Sequence, residues 1–291
     1  MDFVFALDPR NAAWNSKATC LAFVSPQTAK VMQLFPGLVR TQEGMLRGYH
    51  NHAAPVIGER LEHPLDNIRM SARLVHTMFL SKSVFYCRAI IENVNSGNLL
   101  VAFQSLRALV EVLAAVRYTI EQMKPVINAC ANRGTTTGDE ARQLNYQFDI
   151  LLHGGRFDWE AFFLEGAWAV LEKKKKERPK HERQQFAARA QYLKVDKCIK
   201  DWAKVEPIAE FVYDYLCDLV HPNKGSNLVL IVENSKGLRF DIEGQAKFGL
   251  HIFDKIFPIA ASLCMREVPR LIIPLAMLGA DEEQFSEGGE A

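Results

Sequence analysis

The chemistry in this 291-residue chain is easiest to read at Tyr213-Asp214-Tyr215-Leu216-Cys217-Asp218-Leu219-Val220-His221-Pro222-Asn223, which runs on into Lys224-Gly225-Ser226-Asn227. Proline at 222 disfavours the α conformation at His221, so a helix over about 207–220 should end there. His221 then sits at the negative end of the helix dipole with Asp218 one turn behind it, and both favour imidazolium. A cationic histidine beside a loop is suited to holding a phosphate or donating a proton. On this helix Ile208, Val212, Tyr215, Leu216 and Leu219 are expected to face the core. Glu210, Asp214, Cys217, Asp218 and His221 form a second stripe. The plainer reading of that stripe is a solvated acidic face ending in a helix-capping histidine. An Asp-x-x-His pair also suits carboxylate-bridged di-metal bundles. Those need Glu-x-x-His as well, and the chain contains none, so neither metal nor cofactor is expected.

Arg107 and Glu111, in Ser105-Leu106-Arg107-Ala108-Leu109-Val110-Glu111, are one turn apart in the most apolar segment of the chain. A charge there costs several kcal/mol unless it is paired. An ion pair within the helix would account for both residues. Arg before Glu is the weaker order for such a pair, so each is equally a candidate for a partner on a neighbouring helix. Asp218 or Asp214 could serve Arg107, and His221 could serve Glu111. Convergence of Arg107, Glu111, Asp218 and His221 would make a buried titratable cluster, the kind of place where catalysis is found.

A third feature is basic. Lys173, Lys174, Lys175, Lys176, Arg178, Lys180 and Arg183 face only Glu177 and Glu182. Arg189 and Lys194 extend the run, and Phe186 and Tyr192 could stack on bases. It reads either as a phosphate grip or as an exposed linker kept soluble by charge. Walker, GxGxxG, GxSxG and HExxH motifs are all missing. Tyr49-His50-Asn51-His52 lacks carboxylates or cysteines at ligand spacing and reads as a surface loop. Cys217 shares a face with His221, but a cysteine packed at a helix interface is the simpler reading than a thiol nucleophile.

The elements that position these residues are mostly helical. Irregular residues 1–64, with turn signals at Asp8-Pro9, Ser25-Pro26, Pro36-Gly37 and His63-Pro64, read as a loop-rich arm. Helices are expected over about 66–95 and 99–128, the second apolar almost all round as in a central helix. A third is capped by Asp139 and stops near His153-Gly154-Gly155. Others start at Asp158 and cover about 195–204, 207–220 and 245–268. Residues 228–242 read as a hairpin around Asn234-Ser235-Lys236-Gly237. The expectation is an all-α bundle over 65–272, with a basic linker at 173–194, a small β-hairpin before the last long helix and a flexible acidic tail over 273–291.

Bulk properties fit a soluble cytoplasmic protein. Apolar residues make up 48% and charged residues 24%, and the net charge is +1, so any preference for nucleic acid must be local. Six cysteines lie far apart with no CxxC, as in a reducing compartment. The acidic N-terminus does not read as a signal peptide. Apolar stretches near 99–120 and 249–280 each hold several charges, Arg117 in the first and Glu267 in the second among them, which argues against membrane insertion.

The Arg-x-x-x-Glu on one long helix, followed about a hundred residues later by the Leu-Cys-Asp-x-x-His-Pro-Asn segment, resembles bacterial all-helical proteins grouped near the HEPN superfamily. The resemblance spans about 65–270 and rests on Arg107, Glu111, Tyr215, Asp218, His221 and Pro222. It implies a helical bundle that pairs as a homodimer. Many such proteins are metal-independent ribonucleases of toxin, phage-defence and CRISPR systems, and others are inactive partner-binding domains. It therefore implies RNA binding or cleavage, or else a scaffold whose Arg/Glu/His cluster is structural. The family's Arg-x4–6-His signature is not met at His221. Arg47–His52 and Arg69–His76 match its spacing, and the second pair shares a helical face. In a ribonuclease an Arg and a His would polarise a ribose 2′-hydroxyl and stabilise the leaving group.

Overall fold

Two long apolar segments separated by three residues fold back on each other. The first is α1 (Pro64–Asn95) and the second α2 (Leu99–Arg133), with the Asn98 side chain accepting from the Val101 amide at 3.5 Å to start α2. The computed structural model describes residues 64–96, 98–153, 193–222, 224–228, 231–234, 237–240 and 247–279, with the isolated positions 28, 44, 164 and 166. Most of the N-terminal arm, the basic run at 173–183, the helix expected from Asp158 and the chain beyond Gly279 lie outside the described residues.

Helix α2 ends at Arg133, five residues beyond its expected boundary, and is capped by Gly134. That glycine adopts a left-handed φ of 73°, and its amide reaches the carbonyls of Cys130 (2.8 Å) and Ala131 (3.3 Å), closing the last turn as an αL cap does. Helix α3 (Gly138–His153) follows at once, but Asp139 is not its cap. Thr137 takes that role. The Glu140 amide donates to Thr137 Oγ1 (3.3 Å), and the Glu140 carboxylate accepts from the Thr137 amide (2.9 Å). This reciprocal capping box satisfies two donors where Asp139 alone would satisfy one. Arg133, at the end of α2, pairs with the same carboxylate and ties α2 to α3. Asp139 instead faces solvent and pairs with Arg142.

Helices α4 (Val195–Ala203) and α5 (Ile208–Val220) follow, joined by a short turn with Pro207 at the mouth of α5. The loop expected after Pro222 holds a one-turn helix, α6 (Lys224–Leu228). Strands β1 (Ile231–Asn234) and β2 (Gly237–Phe240) then pair antiparallel, Ile231 opposite Phe240 and Asn234 opposite Gly237. The last helix, α7, covers Lys247–Gly279. It outruns the expected end near 268 because the apolar pattern continues through Leu271-Ile272-Ile273-Pro274-Leu275, with Leu271 buried. The segment read as a flexible tail from 273 thus begins inside this helix.

The architecture is all-α at its core. Helix α2 packs against α1, α3, α4, α5 and α7, which explains why it is apolar almost all round. Phe103 on α2 meets Phe253 on α7 (5.8 Å between rings) and Arg117 meets Glu267 (3.2 Å). Both pairs advance fourteen residues along each helix, so α2 and α7 run parallel. Buried Thr28, from the N-terminal arm, donates to the Asp254 carbonyl on α7 (3.3 Å). By length and composition, α1 over Asp66–Val94 and α2 over Leu99–Arg133 are each able to cross a bilayer. In the fold 50% and 56% of their apolar windows are buried inside the helical bundle.

Candidate functional site

Arg107 and Glu111 face each other on α2. Arg107 Nε lies 2.9 Å from Glu111 Oε1, and both side chains are about three-quarters buried. The Nε–H is not aligned for a directed hydrogen bond, so this is a charge contact held by the i,i+4 spacing. The guanidinium also lies over the ring of Tyr213 on α5, 5.6 Å from its centroid, within cation–π range. Burial works against the Arg107 charge, but Tyr213 and Glu111 outweigh it and hold the guanidinium protonated more firmly than usual.

Tyr213 and Cys217 complete the contact. They are one turn apart on α5 and turn toward α2. Burial pushes the Tyr213 hydroxyl up to about 12 against the influence of Arg107. Burial likewise raises the Cys217 thiol, Tyr213 and Arg107 lowering it only in part. A raised thiol is a poor nucleophile at neutral pH. Burial also pushes Cys87 up to about 12 and Cys198 to about 11.

The core stripe of α5 is Ala209, Val212, Tyr213, Leu216 and Leu219, with Tyr213 in the place expected of Tyr215. Tyr215 is only half-buried, against the exposed ring of Phe211. That rotation carries Asp214, Asp218 and His221 to the solvent side of the helix, where all three are exposed. His221 does end the helix as proline at 222 requires, in extended conformation (φ −78°, ψ 152°), its amide bonded to the Cys217 carbonyl. Asp218 sits against α6, where Gly225 is buried beneath it. Among the described residues, no ion pair or hydrogen bond joins Asp218, Asp214 or His221 to Arg107 or Glu111. The structure pairs two of the four expected residues, Arg107 and Glu111, and leaves the other two exposed.

The alternative pair divides in the same way. Arg69 makes an ion pair with Asp66 (3.5 Å), while His76 is 2% exposed and burial lowers its pKa to about 4. Arg47 and His52 lie outside the described residues, as do Lys173, Lys174, Lys175, Lys176, Arg178, Lys180 and Arg183. Among the described residues no three His, Cys, Asp or Glu side chains gather closely enough to hold a metal ion.

The described end of the basic run is Lys194. It borders an open recess of roughly 350 Å³ shared with Asp196, Lys197, Lys200, Asp201 and Lys204. Lys197, Lys200 and Lys204 were not singled out from the sequence, although their three- and four-residue spacing marks a single helical face. No protein-family model, curated protein or solved structure matches this chain.

Proposed function

We propose that this chain is a cytoplasmic, HEPN-like helical bundle that acts as a non-catalytic interaction protein with RNA as its partner. The paired strands before α7 would be the bundle's hairpin insertion. In this reading the protein pairs with a second copy of itself and serves a defence or toxin-like system, and both of these follow from the resemblance alone. One observation carries the non-catalytic part: Arg107 is spent on Glu111 and Tyr213, while His221 and Asp218 stand exposed and, among the described residues, make no ion pair or hydrogen bond with either Arg107 or Glu111. A ribonuclease centred on these residues needs all four to converge. The RNA part is supported by the lysines exposed along α4 and by the basic run that precedes them.

The test is incubation of the purified protein with total RNA and tRNA in EDTA, beside His221→Ala and Arg107→Met. No cleavage is expected from any of the three. His221→Ala should leave the melting temperature within about 2 °C, as for a surface substitution. Arg107→Met should lower stability by roughly 1–3 kcal/mol, because it removes the ion pair and the ring contact and leaves the mostly buried Glu111 carboxylate unpaired. Metal-independent cleavage that disappears in His221→Ala would overturn the non-catalytic reading and restore His221 as a catalytic residue.

A further inference from the structure

Between residues 173 and 204 the chain carries twelve Lys or Arg against four Asp or Glu, although the whole protein has a net charge of only +1. About a third of its positive charge is thus concentrated in this stretch. The described end of the stretch is α4, and its lysines are not scattered. Lys197, Lys200 and Lys204 recur at helical spacing on one face, and Lys194 stands in line just before the helix. The row is about 15 Å long at 1.5 Å per residue. The other face of α4 carries Cys198, Ile199 and Trp202, all buried in the core.

The four ammonium groups are not equivalent. Lys204 is committed to Asp201 (2.8 Å). Lys197 is held over the ring of Tyr118 on α2, 5.0 Å from its centroid, which places it without neutralising it. Among the described residues Lys194 and Lys200 form no ion pair. Three positive charges therefore project from one face with one of them already oriented, and only Asp196 remains beside them to oppose an anion.

We propose that Lys194, Lys197 and Lys200, with Tyr118 supporting Lys197, form the surface that takes the phosphate backbone of single-stranded RNA. This inference rests on the RNA-partner reading above. An anionic membrane is a poorer occupant. A surface-bound amphipathic helix needs an apolar face free to enter the lipid, and that of α4 is already packed in the core. Binding through phosphates predicts little sequence preference and a steep dependence on salt.

The test is fluorescence anisotropy of a labelled single-stranded oligonucleotide with 2′-O-methyl riboses, titrated with the full chain across a NaCl series. Such a probe keeps every phosphate and lacks the hydroxyl that metal-independent cleavage needs, so binding is read apart from catalysis. The variant Lys194→Gln/Lys197→Gln/Lys200→Gln should reduce the slope of log K against log salt by about 2, near 0.7 for each lost contact. Lys204→Gln should match the parent protein, and all variants should melt together because these side chains are exposed. A triple variant with the parent slope would overturn the lysine row and leave the RNA reading standing. No binding by the parent protein would overturn both. Capture by phosphatidylserine vesicles, lost in the triple variant and without RNA binding, would overturn the inference in favour of a membrane.

Discussion

Arg107 and Glu111 show how far single residues could be read. Their spacing alone offered an ion pair within one helix, and that is what forms, in the less favourable order. The added support comes from the face of Tyr213, a partner on another element that intrahelical spacing does not reveal. Tyr213 and Tyr215 are chemically alike and two residues apart. Only the strict 209-212-213-216-219 recurrence decides which faces the core, and that signal was available in the sequence. His76 allows a sharper statement about titration. It is buried, and burial lowers its pKa from 6.5 to about 4, so the folded state binds its proton less readily than the unfolded chain. Its contribution to stability is therefore complete above pH 6.5 and is lost as pH falls toward 4. Urea unfolding at pH 7 and pH 4.5 should show a loss on the order of 2 kcal/mol from this group. His76→Gln should flatten the profile in that window, and an unchanged profile would rule out His76 as its source.

At the scale of elements, the long helices were legible because an apolar period sustained over some thirty residues has no other good solution. Their ends were less so. Asp139 looked like a cap, but Thr137 and Glu140 satisfy each other as well as the helix, and Arg133 from the preceding helix reinforces them. The single turn of α6 was read as loop, since five residues are too few to carry a period. Its packing depends on one glycine. A β-carbon at Gly225 would lie 2.7 Å from the backbone carbonyl oxygen of Asp218, which cannot swing away as a side chain can. Gly225→Ala should therefore displace α6 from the last turn of α5 and cost roughly 1–3 kcal/mol, as overpacking does. Trimming the neighbour with Asp218→Ala should fail to rescue it, because the obstructing atom belongs to the main chain. Full rescue in the double variant would show that the side chain was the obstacle.

At the scale of the whole molecule, which helix lies against which was beyond the sequence, because a parallel pair separated by more than a hundred residues leaves no local trace. Arg117 and Glu267 were read only as charges that argue against membrane insertion, yet they meet across that pair. Glu267 is 1% exposed and accepts from Arg117 (3.2 Å) and from Arg270 on its own helix (2.9 Å). The nearest alternative anion for Arg117 is Glu121, at 3.9 Å. No short connection holds α2 beside α7, so the aromatic contact of Phe103 with Phe253 and this ion pair act as fasteners one hairpin loop would otherwise supply. Removing only the carboxylate strands a mostly buried guanidinium, so Glu267→Ala should cost about 3 kcal/mol. Replacing both partners by apolar side chains, Arg117→Met with Glu267→Leu, should cost clearly less than the sum of the single changes, with a coupling above about 1 kcal/mol in a double-mutant cycle. Urea unfolding of the four proteins measures it. Simple additivity would mean that the two helices are held by their apolar contacts alone and that this buried pair does not fasten them.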